Sequence, residues 1–110
     1  VSFNVVLVLT TLPDPSAAQT LADAVLDARL AACVTELGVV HSRYRWNGQL
    51  ESAQEVQLLF KTSAARAPEL ERYIADHHPY ETPEILSWSA HASPGYGQWV
   101  DAETHRPLHV

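Results

Sequence analysis

A single cysteine, Cys33, among 110 residues excludes an internal disulfide framework and any all-cysteine zinc site. Basic side chains are also scarce. Seven Lys plus Arg stand against thirteen Asp plus Glu, a formal net charge of −6. The basic face that phosphate-backbone binding requires is missing, so nucleic acid is not an expected partner. Four glycines and seven prolines are too few for a collagen-like or low-complexity chain. The longest apolar run near the start, Val5 to Leu9, falls far short of the about 20 residues that cross a bilayer, which argues against a membrane. It has no basic leader and Asp14 closes it, unlike a secretory signal. The expectation is a cytoplasmic protein, with a removed presequence left open because the sequence starts at Val1 rather than Met. There is no Gly-rich phosphate loop, no Ser nucleophile elbow and no HExxH, so no enzyme is expected on motif grounds. An acid–base pair drawn from Glu81, Glu84 and His78 needs no motif and stays conceivable.

What is present fits one domain over residues 1–110 with a tail at 105–110, since 46% hydrophobic residues fill one core at this length. Phe3 to Leu12 reads as a buried strand. Asp14-Pro15 then offers an N-cap carboxylate and a proline whose missing N–H costs nothing at a first helical position. Leu21, Ala22, Val25, Leu26 and Leu30 share one face of the helix that follows, which is expected to end near Leu30. Ala32 to Trp46 and Gln49 to Thr62 read as strands around Asn47-Gly48, a hairpin signal because both residues tolerate positive φ. Thr62-Ser63 is expected to cap a second helix bearing Leu70, Tyr73, Ile74 and His77, halted by Pro79. A strand over Ile85 to His91 and a short helix over Tyr96 to Thr104 complete a β-α-β-β-α-β order with a tail. Right-handed crossovers on one antiparallel sheet make this an α+β, ferredoxin-like sandwich.

The hairpin carries a quantitative expectation. Each arm of roughly 14 residues at ~3.3 Å spans ~46 Å. A compact chain of this length has a radius of gyration near ~13 Å and a diameter near ~34 Å. The hairpin therefore overshoots its domain unless Gly38 bends it. Pairing outward from the turn sets Tyr44 opposite Glu51, Val39 opposite Val56 and Leu37 opposite Leu58, with Tyr44 and Trp46 on the face opposite the base residues. Two readings follow: the tip packs on a second copy, or a bulge shifts the register. Either leaves exposed aromatics and long edges that proteins normally cover. The expectation is a homo-oligomer.

Several runs resemble the CutA family of divalent-ion tolerance proteins. They are Leu30-Ala31-Ala32-Cys33-Val34, Ser42-x-Tyr44-x-Trp46-x-Gly48, Glu55-Val56-Gln57-Leu58 leading into Phe60-Lys61-Thr62, His78-Pro79-Tyr80-Glu81-x-Pro83-Glu84-Ile85, and Tyr96-x-x-Trp99-Val100. The resemblance implies a homotrimer of ferredoxin-like protomers, similar in architecture to the PII signalling proteins, and an association with copper and other divalent metals. This chain departs from the pattern at Thr10, where some members carry a cysteine proposed as a copper ligand. It lacks the usual proline between Cys33 and Ser42, and it has Ser93-Pro94-Gly95 where a Gly-rich segment is commoner.

His77-His78 is the candidate metal pair, because neutral imidazole suits Cu(II), Zn(II) and Ni(II). Glu81 and Glu84 are weaker oxygen donors. The alternative is structural: one histidine caps the helix C-terminus and the other packs under Pro79-Tyr80. His41, His91, His105 and His109 have no useful spacing. Cys33 reads as a packed thiol. Tyr44, Trp46, Lys61, Tyr80 and Trp99 are the cleft or interface candidates. Trp46 reads as an interface anchor, and Lys61, the sole lysine, reads as an anion contact or a salt-bridged surface group. Glu51 and Glu55 share a strand face and are candidate partners for Arg29, Arg43 or Arg45 of a neighbour. The functional expectation is a trimeric divalent-metal tolerance protein with no obligatory cofactor that binds Cu(II) or another divalent cation weakly. The alternative is a PII-like signalling or scaffold trimer that binds a small anion or a partner protein in inter-subunit clefts.

Overall fold

The computed structural model describes residues 3–105; His109 and most of the expected tail lie outside them. The order is β1 (Phe3–Leu12), α1 (Pro15–Asp27), β2 (Cys33–Trp46), β3 (Gln49–Thr62), α2 (Ala67–His77), β4 (Leu86–Ala92) and α3 (Pro94–Glu103). The strands form one antiparallel sheet in the order β2-β3-β1-β4, the ferredoxin-like arrangement. Val8 and Leu12 of β1 and Val56, Leu58 and Phe60 of β3 share the sheet face covered by helices α1 and α2, with Leu21, Val25, Leu70 and Ile74 sealing the core.

Local chemistry explains most boundaries. Asp14 caps α1 by accepting from the Ala17 N–H at 2.8 Å, with Pro15 at the first helical position. The helix stops at Asp27, earlier than expected, because Arg29 takes a left-handed φ of 58° and the Leu30 N–H turns back to the Val25 carbonyl at 3.1 Å. Leu30 stays in the core as a loop residue. Thr62-Ser63 does not cap α2. The Thr62 hydroxyl donates to the Leu30 carbonyl at 2.7 Å, and the Ser63 hydroxyl accepts from Thr104 at 3.0 Å. The helix begins only at Ala67, after a turn closed on the Ser63 carbonyl. Strand β4 runs one residue later than expected. Pro94 opens α3 rather than merely breaking the strand, because a proline is tolerated in a first helical turn.

Asn47 and Gly48 both have positive φ, 51° and 76°, as the hairpin signal required. The outer register is as expected, with Trp46 opposite Gln49, Tyr44 opposite Glu51 and Val39 opposite Val56. The inner pairing differs. Glu36, not Leu37, faces Leu58, because the register shifts between Glu36 and Gly38. Leu37 is the extra residue of a β-bulge, and Gly38 supplies the φ of 119° that the bend needs. Bulge and overshoot therefore coexist. The molecule extends 48 × 31 × 21 Å with a Cα radius of gyration of 15.0 Å, above the about 13 Å of a compact chain. Val39, Leu50, Tyr44 and Trp46 on the protruding ribbon are exposed.

Candidate functional site

The segment after α2 is placed by one imidazole. His78 ends the helix in extended backbone. The Tyr80 N–H donates to its Nδ1 at 3.1 Å. That leaves the ring proton on Nε2, which donates to the Thr11 carbonyl at 2.8 Å, with the Thr10 hydroxyl at 3.3 Å. The ring also lies tilted against Tyr80, centroids 4.9 Å apart. Burial pushes the His78 pKa below the ordinary 6.5, opposed by the Thr11 bond and the Glu55 charge. A neutral ring thus ties the loop to the end of β1. Since β4 pairs with β1 from Leu9 outward, the loop crosses the sheet end where the ribbon leaves the domain.

Loop and ribbon enclose a cleft of about 740 Å³. By strand alternation Ser42, Tyr44 and Trp46 share a ribbon face with Glu51, Ala53 and Glu55, where Ala53 lies opposite Ser42, Glu51 opposite Tyr44 and Glu55 opposite Val40. Ser42, Tyr44, Trp46 and Glu55 form one wall, and Tyr80, Glu81, Thr82 and Glu84 the other, with Arg43 alongside. Glu55 is only 7% exposed. The Tyr80 hydroxyl donates to its Oε2 at 2.8 Å. Burial and then this carboxylate raise the Tyr80 pKa far above the usual phenol value, so the bond keeps its proton at any ordinary pH.

The sequence candidates divide between regions. Tyr44, Trp46, Tyr80, Glu81 and Glu84 converge on the cleft. Lys61 stands near the far end of β3, where its ammonium reaches the Thr35 hydroxyl and the Cys33 sulfur. Trp99 lies on α3 against Tyr96, ring centroids 5.6 Å apart. His77 and His78 are held by separate contacts. His77 is exposed, stacks on Tyr73 at 4.0 Å, and its Nδ1 donates to the Tyr73 carbonyl at 2.9 Å, so only its Nε2 lone pair is open. Both His78 nitrogens are engaged. These are the contacts of the structural alternative: a histidine at the helix end and another against Tyr80. Among the described residues, no three His, Cys, Asp or Glu side chains converge to hold an ion. The donors of one chain therefore do not fit a complete metal centre. Arg43 and Thr82 line the cleft without having been singled out for it. The sequence expectation pairs Glu55 with an arginine of a neighbour, whereas its tie in the structure is to Tyr80 of the same chain. The available signal was a glutamate paired across from Val40 and followed by the apolar alternation of Val56, Leu58 and Phe60.

Among the described residues no helix is long and apolar enough to cross a membrane. Residues 6–103 match the sequence profile of the CutA1 divalent ion tolerance protein family. A divalent-cation tolerance protein CutA of Yersinia pestis (strain Pestoides F) is 52% identical over 83 residues, covering 76% of this chain and 70% of its own. The crystal structure of CutA from Xylella fastidiosa is similar at a TM-score of 0.88 and 36% identity, over 92% of this chain and 98% of that one. The structure of a protein described as the periplasmic divalent cation tolerance protein CutA, from Archaeoglobus fulgidus, superposes at a TM-score of 0.87 and 25% identity, over 92% of this chain and 99% of the other. A sandwich with a protruding β2–β3 ribbon, matched along nearly its whole length, makes this chain a member of the CutA1 divalent ion tolerance family.

Proposed function

We propose that the chain serves divalent-cation tolerance as a cytoplasmic homotrimer that binds Cu(II) or a related divalent ion weakly, with ligands drawn from more than one copy. Family membership supports the divalent-ion context and does not favour the signalling alternative. The observation that carries the assembly is the ribbon. It extends past the core with Val39 and Leu50 exposed on one face and Tyr44 and Trp46 on the other, while β2 forms an open sheet edge. Exposed apolar side chains and an unpaired strand edge are surfaces that a second copy stabilises.

For the metal, His77 offers one accessible imidazole nitrogen per chain, and a weak site follows from so small a donor set. His78 would have to break two hydrogen bonds to ligate. Calorimetric titration with Cu(II) tests this directly. His77→Ala is expected to weaken binding or lower its stoichiometry, whereas wild-type binding in that variant would remove the histidine from any metal role. Sedimentation is expected to give three times the chain mass at micromolar concentration; a stable monomer defeats the assembly. Fractionation of the expressed protein decides the compartment, since the Archaeoglobus fulgidus relative is described as periplasmic.

A further inference from the structure

We propose that Cys33 and Lys61 form a covalent sulfur–nitrogen bridge when the protein meets a peroxide, which makes the base of the ribbon a redox-sensitive lock. The two residues face each other across the β2–β3 ladder. Opposed residues of an antiparallel pair project from the same sheet face with Cβ atoms about 4.5–5.5 Å apart, so the backbone itself brings them together. The Lys61 Nζ lies 3.8 Å from the Cys33 Sγ. Among the described residues no salt bridge involves Lys61, so no carboxylate competes for its amine. Cys33 is half-buried and is the only cysteine of the chain. A sulfenic acid is resolved by condensing with a thiol or with a nitrogen. With no second thiol in the chain, the Lys61 amine is the nucleophile at hand.

Hydroxyls surround the sulfur. The Thr35 hydroxyl is 3.9 Å away, and the Tyr96 phenol of α3 hydrogen-bonds to the sulfur as well. Burial, and then the neighbouring sulfur, raise the Tyr96 pKa above the ordinary 10, so this phenol keeps its proton near neutral pH. Both hydroxyls are placed to hold an oxygen added on sulfur. Peroxide oxidises the thiol by two electrons: its O–O bond breaks, one oxygen passes to Sγ, and water leaves, giving the sulfenic acid. The Lys61 ammonium releases one proton to solvent. The amine lone pair then attacks Sγ, the S–N bond forms as the S–O bond breaks, and hydroxide leaves with an amine proton as a second water. Thiol, ammonium and peroxide thus give a sulfenamide, two waters and a proton. The product is two hydrogens lighter than the reduced chain, and a thiol reductant reverses it.

Both partners belong to one chain. They project from a sheet face, whereas a strand added at the open β2 edge engages backbone groups in the sheet plane. The tip aromatics assigned to a neighbouring copy stand at the other end of the ribbon. The inference is therefore independent of the assembly and of the divalent-ion proposal.

The test is intact-mass spectrometry of the assembled full-length chain after treatment with hydrogen peroxide. The sequence has no methionine, so sulfur oxidation is confined to Cys33. The expected result is a loss of two hydrogens, a peptide pair joined through Cys33 and Lys61 in tandem spectra, and return to the starting mass with dithiothreitol. Lys61→Arg keeps the positive charge and withdraws the nucleophilic amine. It is expected to abolish the loss and leave a sulfenic acid that dimedone traps. An unchanged wild-type mass overturns the proposal, as does a gain of oxygen alone on Cys33 or a disulfide between two copies. These outcomes are read on the wild-type chain, so the proposal stays decidable if Lys61→Arg does not fold. The same two-hydrogen loss in a folded Lys61→Arg variant overturns it too.

Discussion

Strands β2 and β3 are continuous from base to tip, yet their two halves live in different surroundings. At the base, Val56, Leu58 and Phe60 alternate inward and are sealed beneath α1 and α2. At the tip the same alternation continues, but Leu50 is 73% exposed and Trp46 44%. Periodicity therefore sets which way a side chain faces, and the reach of the helices sets whether anything covers it. α1, with its 13 residues, and α2, with its 11, are shorter than the 14-residue strands once the rise per residue is counted, since a helix advances about 1.5 Å and a strand about 3.3 Å.

The sharpest separation of the two halves comes from truncating one aromatic in each. Phe60→Ala at the base is expected to cost about 3–5 kcal/mol of unfolding free energy in denaturant titration, as cavity formation in a sealed core does. Trp46→Ala at the tip is expected to leave the fold of each chain intact and weaken the proposed trimer by about 2 kcal/mol or more, read from the concentration dependence of sedimentation. A tip variant that unfolds as readily as the base variant would erase the distinction. Asn47→Val tests the turn between the arms. A β-branched residue in the left-handed region is expected to lower stability by about 1–2 kcal/mol, measured by thermal melting.

The smallest effect is a pH dependence from the clamp at the cleft's edge. The folded-state pKa of His78 lies below 6.5, chiefly because burial disfavours the charged ring. As pH falls below the ordinary imidazole value, the unfolded chain takes up a proton that the folded chain resists, so stability declines toward the depressed folded value. His78→Gln is expected to flatten this slope between neutral pH and about pH 5. An unchanged slope assigns it to other groups.

Most of the fold was legible in the residues because each signal was local. Asp14-Pro15 starts a helix, Asn47-Gly48 makes a turn, and the alternating apolar strands find their faces. The errors arose where a distant partner decides. Thr62 and Ser63 look like caps, but Leu30 and Thr104 claim their hydroxyls. Nothing near Arg29 announces a left-handed residue where glycine is usual. At the candidate site, the aromatic and acidic groups of the loop and ribbon were visible in sequence, whereas their convergence was not. The two adjacent histidines suggested a pair, but adjacent residues at a helix end diverge. Only the chain fold shows that one of them is occupied by Thr11 and Tyr80.

The bulge at Leu37 has a mechanical meaning. One surplus residue beside a glycine is an elbow in an otherwise stiff lever. Deleting it leaves every other cross-strand partner available but straightens the arm, and the far end swings to a new heading. A projecting arm that must land on a particular spot depends on aim as much as on adhesion, so this joint governs where the aromatics at its end arrive.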